Sequence, residues 1–508
     1  MTAKDAGARL EQDFAVAANH HMAGRLSEAE TMYRRILSRE PNHAGALHNL
    51  GFLAGQLGNP SEAIRLFDEA LAVKPNYAEA YNNKGNALLD IGEQEQAIEN
   101  FERAVTMKPD YAEALYNKGN ALFATRRLAE SVVSFEQALA IQPGYTEAHM
   151  NMGSALQEQG RVDEAISSFD AALALNPGAP EPHYNKGLAY MELGDFDDAI
   201  GSFDQAIALN PDYVAARGNR ANALIESRRI DDALRELETA IAIDSGDPLL
   251  HNNKGSALLE QGRFEPALAS FEMALSIESN NTTALALKSR ALIELGRNGE
   301  LASLVDFDRL IQTQFVDLPE EFETDSDFNG ALADYCISHP TLVFARAGKA
   351  TKNGYQTENL IGGGELGPAQ YLLQAIGVAA ECYRERHATD PAHPFLARPP
   401  SSFSIDIWGT VLERQGHQRA HIHNAGWLSG VYYAKLPDVI SSDDTGHAGW
   451  IEFGRPLSNP LSQANPEVRL VQPEEGLMVL FPSYFWHRTV PFESDETRVS
   501  IAFDLIPA

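Results

Sequence analysis

Asn83-Lys84-Gly85 returns as Asn117-Lys118-Gly119, and the 34-residue interval between the two runs through the first half of the chain. Asn49, Asn151, Asn185, Asn219 and Asn253 fall on the same grid, followed two residues on by Gly51, Gly153, Gly187, Ala221 and Gly255. Other positions keep step. A small residue comes at Ala63, Ala97, Ser131, Ala165, Ala199, Ala233 and Ala267. A large apolar one follows at Phe67, Phe101, Phe135, Phe169, Phe203, Leu237 and Phe271, and proline closes most units, from Pro41 to Pro211. Small residues let two helices approach, an aromatic fills the space between them, and proline suits a turn where a helix has ended. A fixed period of this length marks a helical solenoid, a fold built as a binding surface.

The grid resembles the tetratricopeptide repeat family. Eight units run from Leu10 to Asn281, the first irregular with Ala17 and Tyr33 at the glycine and aromatic positions, and Ala284 to Leu295 reads as a capping helix. The expected solenoid spans 10–297. Asparagine is a weaker helix former than alanine by up to about 0.7 kcal/mol, so seven of them at one helical position point to a use. The resemblance implies that the first helix of each unit lines a concave face. The ladder is similar to that of the protein O-linked N-acetylglucosaminyltransferases. This implies that Asn49, Asn83, Asn117, Asn151, Asn185, Asn219 and Asn253 bind an extended polypeptide through its main chain. Bonding to a neighbouring repeat's backbone is the other use open to the same amides.

Composition narrows the partners. A net charge of −31 at pH 7 argues against nucleic acid, which needs a basic surface, and favours neutral or basic proteins. Cys336 and Cys382 are the only cysteines, too few for a disulfide framework and fitting a reducing, cytoplasmic setting. The N-terminus opens no apolar run, so no signal peptide is expected, and no stretch is long and apolar enough to suggest a membrane span. Nothing in the sequence signals an oligomeric state.

After Arg297 the period is lost. Residues 306–508 form the second expected domain, with a helical lead-in over 306–400 and a β core over 401–508. Pro340 to Ala345 reads as a short strand, Gly367 to Arg386 as an amphipathic helix, Ala397 to Ser402 as a linker-like turn, and the glycine run 362–364 as a turn. Strands are expected at Phe403 to Leu412, Leu428 to Leu436, Trp450 to Phe453, Gly476 to Phe481 and Val499 to Leu505. Short strands with turns between them suggest a double-stranded β-helix, or jelly roll. The fold class is therefore multidomain: an all-α solenoid, then a mainly-β jelly roll with flanking helices.

Within that β part stands His421-Ile422-His423-Asn424. On a strand, a spacing of two points both rings to one face. His487 is a third histidine, and Arg498-Val499-Ser500 follows eleven residues later. Imidazole suits iron, copper or zinc. His387, His393, His417 and His447 have no such pattern and read as surface or loop residues. There is no nucleophile elbow and no zinc-type cysteine pair.

This part resembles the non-haem Fe(II), 2-oxoglutarate-dependent oxygenases, and within them a bacterial subfamily often joined to tetratricopeptide repeats. The likeness is carried by His421, His487, the Arg498-x-Ser500 step, Gly426-Trp427-Leu428-Ser429-Gly430-Val431-Tyr432-Tyr433 and Leu480-Phe481-Pro482-Ser483-Tyr484. It implies Fe(II) held by His421, His487 and His423, with 2-oxoglutarate and O₂ as co-substrates. Arg498 and Ser500 would then take the distal carboxylate of 2-oxoglutarate, helped by Tyr433 or Tyr432. His423 stands where the family has a carboxylate ligand, so it is either a third imidazole ligand or a residue behind the ligands. The implied activity is hydroxylation of a polypeptide recruited by the repeats. A scaffold with a catalytically silent oxygenase fold is the alternative, and a metal-dependent dioxygenase that does not use 2-oxoglutarate is a third reading.

Overall fold

A computed structural model describes residues 3–345, 350–362, 366–387, 390, 393–440, 446–456 and 464–507. The glycine run expected as a turn lies outside them from residue 363 onward. The chain forms two compact units, Met1–Ala223 and Leu224–Ala508. No described helix is long and apolar enough to cross a membrane.

The first unit is helical throughout, with two helices per 34-residue period from Leu26–Arg39 to Phe196–Leu209. The grid residues form its core: Ala97, Ala165, Ala199, Phe101, Phe135, Phe169 and Phe203 are fully buried. The glycines have a steric reason. A Cβ placed on Gly85, Gly119, Gly153 or Gly187 would lie 2.5 Å from the ring of Phe101, Phe135, Phe169 or Phe203 respectively. The one regular unit with leucine at the aromatic position, Leu237, is the one with Ala221 on the glycine grid. The irregular first unit has Ala17 and Tyr33 there, and Tyr33 packs beside Phe14 and His21.

All seven ladder asparagines are half-buried. Several spend the amide nitrogen on the preceding repeat. Asn117 Nδ2 donates to Asn82 Oδ1 at 3.0 Å, Asn151 Nδ2 to Tyr116 Oη at 3.1 Å and Asn120 Oδ1 at 2.8 Å, and Asn219 Nδ2 to Tyr184 Oη at 3.1 Å. Asn83 pairs with His48 Nε2 at 3.0 Å, and Asn49 with Tyr33 Oη at 3.2 Å. The partners are side chains, where backbone had been the expected alternative.

The second unit continues with helices Ile230–Ile243, Pro248–Glu260, Phe264–Ile277, Thr282–Leu295 and Asn298–Leu304. Ten strands follow among the described residues: β1 Gln312–Phe315, β2 Val343–Phe344, β3 Thr351–Gln356, β4 Phe403–Gln418, β5 Leu428–Lys435, β6 Ile451–Phe453, β7 Arg469–Val471, β8 Leu477–Pro482, β9 His487–Thr489 and β10 Arg498–Pro507. They form an antiparallel seven-stranded sheet, β1-β8-β5-β10-β4-β3-β2, and a three-stranded sheet, β7-β6-β9, which is the jelly-roll arrangement. Helices Asp325–Ser338 and Ala369–His387 flank them. Asp325–Ser338, β1, β3, β7 and β9 lack the alternation or length that would single them out in the sequence. One apolar core runs from Leu234 of the last repeats to Leu505 of β10. Three buried polar contacts close it. Trp486 Nε1 donates to Ala286 O at 3.0 Å, Tyr484 Oη to Leu304 O at 2.6 Å, and His393 Nε2 lies 3.2 Å from Leu304 O.

The glycine–aromatic contact yields a test. Gly153→Ala gains up to about 1 kcal/mol of helix propensity but overpacks a site where such insertions cost about 1–3 kcal/mol. The single variant should lose stability on denaturant unfolding followed by circular dichroism. Adding Phe169→Leu should recover part of that loss, giving a favourable coupling of about 0.5–3 kcal/mol. Strictly additive effects would show that the ring does not set the glycine.

Candidate metal centre

β10 is paired on both edges, to β4 and to β5. Side chains of a strand alternate between faces. Val499, Ile501, Phe503 and Leu505 therefore enter the core, while Arg498, Ser500, Ala502 and Asp504 line a cavity of about 560 Å³. Its neighbours add Trp408 and Thr410 from β4, and Val431 and Tyr433 from β5. The register sets Ser500 between Thr410 and Tyr433. Of the two candidate tyrosines, Tyr433 faces the cavity, whereas Tyr432 bonds Asn329 on the other side of the sheet.

The histidines arrive from the opposite wall. His421 and His423 follow the end of β4 outside the named strands, with His421 forming an isolated antiparallel bridge to His487. Backbone bonds hold both residues. His421 N–H donates to His487 O at 3.0 Å, His487 N–H to His421 O at 3.1 Å, and His423 N–H to Ser483 O at 3.0 Å. One ring nitrogen of each histidine lies within 4.8 Å of those of the other two. Trp408 stacks on His423 with centroids 5.7 Å apart, and Phe481 packs on His487 at 4.7 Å.

The partners of the rings define their tautomers. His421 Nδ1 is 2.7 Å from Arg419 O, and His487 Nδ1 is 3.0 Å from Phe485 O. A carbonyl only accepts, so each Nδ1 carries the proton and each Nε2 keeps a lone pair. His423 Nδ1 is 2.6 Å from Asp504 Oδ1, a carboxylate that accepts from it. Burial pushes the His421 imidazole down to about 4, with His423 acting in the same sense, and drives His487 well below its ordinary value. Both are neutral at physiological pH, the state that binds a metal.

At the other end of the cavity Arg498 is 2 % exposed. Its guanidinium lies 5.2 Å from the centroid of the Tyr433 ring, and its Nε and Nη1 are buried without a hydrogen-bond partner. Tyr433 Oη and Thr410 Oγ1 are likewise buried and unpartnered. Burial lowers the Arg498 pKa from its ordinary value, against the pull of Tyr433, and raises Tyr433 to about 12, so the phenol stays protonated. Several donors with unmet bonding capacity around a buried cation fit an anionic ligand, since leaving such groups unpaired costs several kcal/mol. The histidine triad fits a metal for the complementary reason, since its three Nδ1 atoms are occupied and its three Nε2 atoms have no partner among the described residues.

Sequence reasoning missed Asp504, Thr410 and Trp408. Asp504 was within reach, because period-two counting from Arg498 and Ser500 puts it on the same face. Thr410 and Trp408 depend on the β4–β10 register, which no local signal reveals. His387 and His393, expected at the surface or in loops, are instead buried at 5 % and 6 % exposure. His387 packs on Tyr383 with centroids 4.5 Å apart.

Comparison with known proteins finds two kinds of family model on the chain. Residues 406–504 match the family described as "Putative 2OG-Fe(II) oxygenase". Tetratricopeptide repeat families match 20–87, 85–126 and, in four overlapping copies, 116–180, 150–214, 184–248 and 219–282. No curated protein matches the chain. Similar solved structures include the crystal structure of MamA, at 27% identity over 32% of this chain and 95% of that one, with a TM-score of 0.31. Others are YrrB, a TPR protein with an unusual peptide-binding site, at 24% identity, 36% and 95% coverage and TM-score 0.34, and pilF of Pseudomonas aeruginosa, at 19%, 42% and 97% with TM-score 0.38. With repeat families over its first half and the oxygenase family over its last strands, the chain is a tetratricopeptide repeat protein with a C-terminal domain of the 2-oxoglutarate/Fe(II) oxygenase family.

Proposed function

We propose that residues 306–508 form an Fe(II)- and 2-oxoglutarate-dependent dioxygenase that hydroxylates a polypeptide recruited by the repeats, residues 10–297. The observation that carries this reading is that one cavity holds both three imidazoles whose ring nitrogens converge within 4.8 Å and a buried guanidinium whose Nε and Nη1 have no partner among the described residues. His421, His423 and His487 would hold the iron. Arg498 would pair with the distal carboxylate of 2-oxoglutarate, with Thr410, Tyr433 and Ser500 beside it. Together with O₂, the bound metal and co-substrate supply the oxidising power for hydroxylation. The chain's own residues position and protect. The planar Arg498 fork orients a carboxylate in two directions at once, Trp408 and Phe481 restrict the imidazole rings, and Ile451 and Val431 help keep the cavity wall apolar.

One observation favours a silent scaffold instead: an imidazole at 423 where a two-histidine, one-carboxylate site has an anion. The buried Arg498, with Nε and Nη1 unbonded among the described residues, speaks against it, because a site freed of ligand has no use for a cation that destabilises the fold. In the repeats, we infer that the asparagine ladder reads a peptide main chain through its amide oxygens. The Oδ1 atoms of Asn117, Asn151 and Asn219 are not taken by the inter-repeat bonds of their amide nitrogens. A cytoplasmic setting belongs to the same reading and is supported by two free cysteines.

Metal binding is tested first. Purified protein should take up one Fe(II) under anaerobic conditions, and His421→Ala and His487→Ala should each lose most of it. Full retention in both variants would eliminate the site.

Arg498→Ala should weaken 2-oxoglutarate binding by the worth of a charge-assisted pair, about 1.5–3 kcal/mol or roughly 10- to 150-fold. Arg498→Lys should recover only part of this, because an ammonium lacks the fork. Titration calorimetry on iron-loaded, oxygen-free protein reads both, and unchanged affinity in Arg498→Ala would favour the silent or oxoglutarate-independent readings.

For the ladder, joint replacement of Asn117, Asn151 and Asn219 by alanine should weaken capture of extended polypeptides. It should also lower the melting temperature, since each variant loses inter-repeat bonds worth about 0.5–1.5 kcal/mol. A folded variant with an unchanged partner list would leave the ladder a purely structural device.

A further inference from the structure

Three imidazoles bring no negative charge to a divalent cation, yet a carboxylate lies one bond behind them. Asp504 Oδ1 is 2.6 Å from His423 Nδ1 and 2.6 Å from Ser429 Oγ. Ser429 Oγ is 2.7 Å from Ser483 Oγ, and the Ser483 carbonyl accepts the His423 N–H at 3.0 Å. The four residues thus close a ring of hydrogen bonds. Ser429 and Ser483 are fully buried, and the Asp504 side chain is 13% exposed. The packing is tight: a Cβ on Gly426 would lie 2.6 Å from Ser483 Oγ and 3.4 Å from Asp504 Cγ.

Among the described residues the only basic partner of Asp504 is His423. A largely desolvated carboxylate without a cation destabilises a fold. The cost is offset if a positive charge sits on the far side of the imidazole, at the Nε2 that faces the cavity. We propose that Asp504 is the anion of the metal centre, placed behind His423 instead of in contact with the ion. This inference rests on the metal site proposed above. Asp504 is a positioning residue: it fixes the His423 tautomer and ring plane and strengthens Nε2 as a donor, as carboxylates behind ligating histidines do. The arrangement also accounts for imidazole at 423. The carboxylate expected at that position has an equivalent on β10, reached through the ring.

Four proteins test this: the full-length wild type, Asp504→Asn, His423→Ala and the double variant. Asparagine keeps the shape and an acceptor oxygen, so Ser429 and His423 retain a partner while the charge is removed. Co(II) is the probe, with affinity read by competition against a chelating dye and ligand number by the visible spectrum. Asp504→Asn should weaken Co(II) binding about 10- to 100-fold and shift the spectrum. In the His423→Ala background the same change should have no further effect. Equal losses in both backgrounds would overturn the proposal by showing that Asp504 only supports the serine network. So would a wild type that binds Co(II) beside an Asp504→Asn variant that binds it equally well. A wild type that binds no Co(II) would instead remove the metal site itself, and this inference with it. Thermal melting of all four verifies that they are folded.

Discussion

The two-sided pairing of β10 is the constraint on which the rest of the site depends. Because β4 and β5 fix both of its edges, its side chains have no freedom to change face. Four apolar residues anchor it in the core, and the alternate four present, along one line, a guanidinium, a hydroxyl, a methyl and a carboxylate. A register slip of one residue would bury Arg498 and Asp504 in the apolar core and turn Val499 and Phe503 toward the cavity. The large penalty for that exchange makes the core and the site enforce one another.

The second requirement is the backbone exchange between His421 and His487. Two N–H to O bonds tie residues far apart in sequence into one antiparallel bridge, and each ring then bonds a carbonyl two residues before it on its own segment. The metal-facing nitrogens are thus oriented by main chain, which substitution nearby does not easily disturb. His423 is the exception. Its ring is oriented by a side chain, so its behaviour is open to tuning in a way that the other two are not.

What could be read in the sequence was what local spacing controls. The repeat grid is legible because the glycine and the aromatic sixteen residues later exclude each other's enlargement, and the swap at Ala221 and Leu237 shows the same rule in reverse. The five main strands and the helix ending at His387 emerged from alternation and amphipathicity, and His421, His487 and Arg498 from a spaced pattern. Hidden were the features set by register and packing. Tyr433 could not be told from Tyr432 until the β5 face was known. Thr410 joins the site only through its cross-strand place beside Ser500. His387 and His393 look like loop residues until the helices around them close. Asn49, Asn83, Asn117, Asn151 and Asn219 bond side chains of the preceding repeat, a use that depends on how helices stack and not on any one helix.

The end of the repeats and the start of the chemistry share atoms. Helix Thr282–Leu295 was expected to cap a solenoid, yet its first residues reach the segment that carries the histidines. Thr282 Oγ1 donates to Gly426 O at 3.2 Å, and Thr283 Oγ1 to Asn424 Oδ1 at 3.3 Å. Trp427 N–H is bonded to Leu505 O of β10 at 2.8 Å. Residues 424–427, directly after His423, are therefore held between the last repeat helix and the strand that bears Asp504 and Arg498. Farther along the same helix, Ala286 takes the Trp486 indole one residue before His487. Both halves of the histidine triad thus rest on one helix. A displacement of that helix would reach His423 and His487 through one or two hydrogen bonds each, without passing through the rest of the sheet.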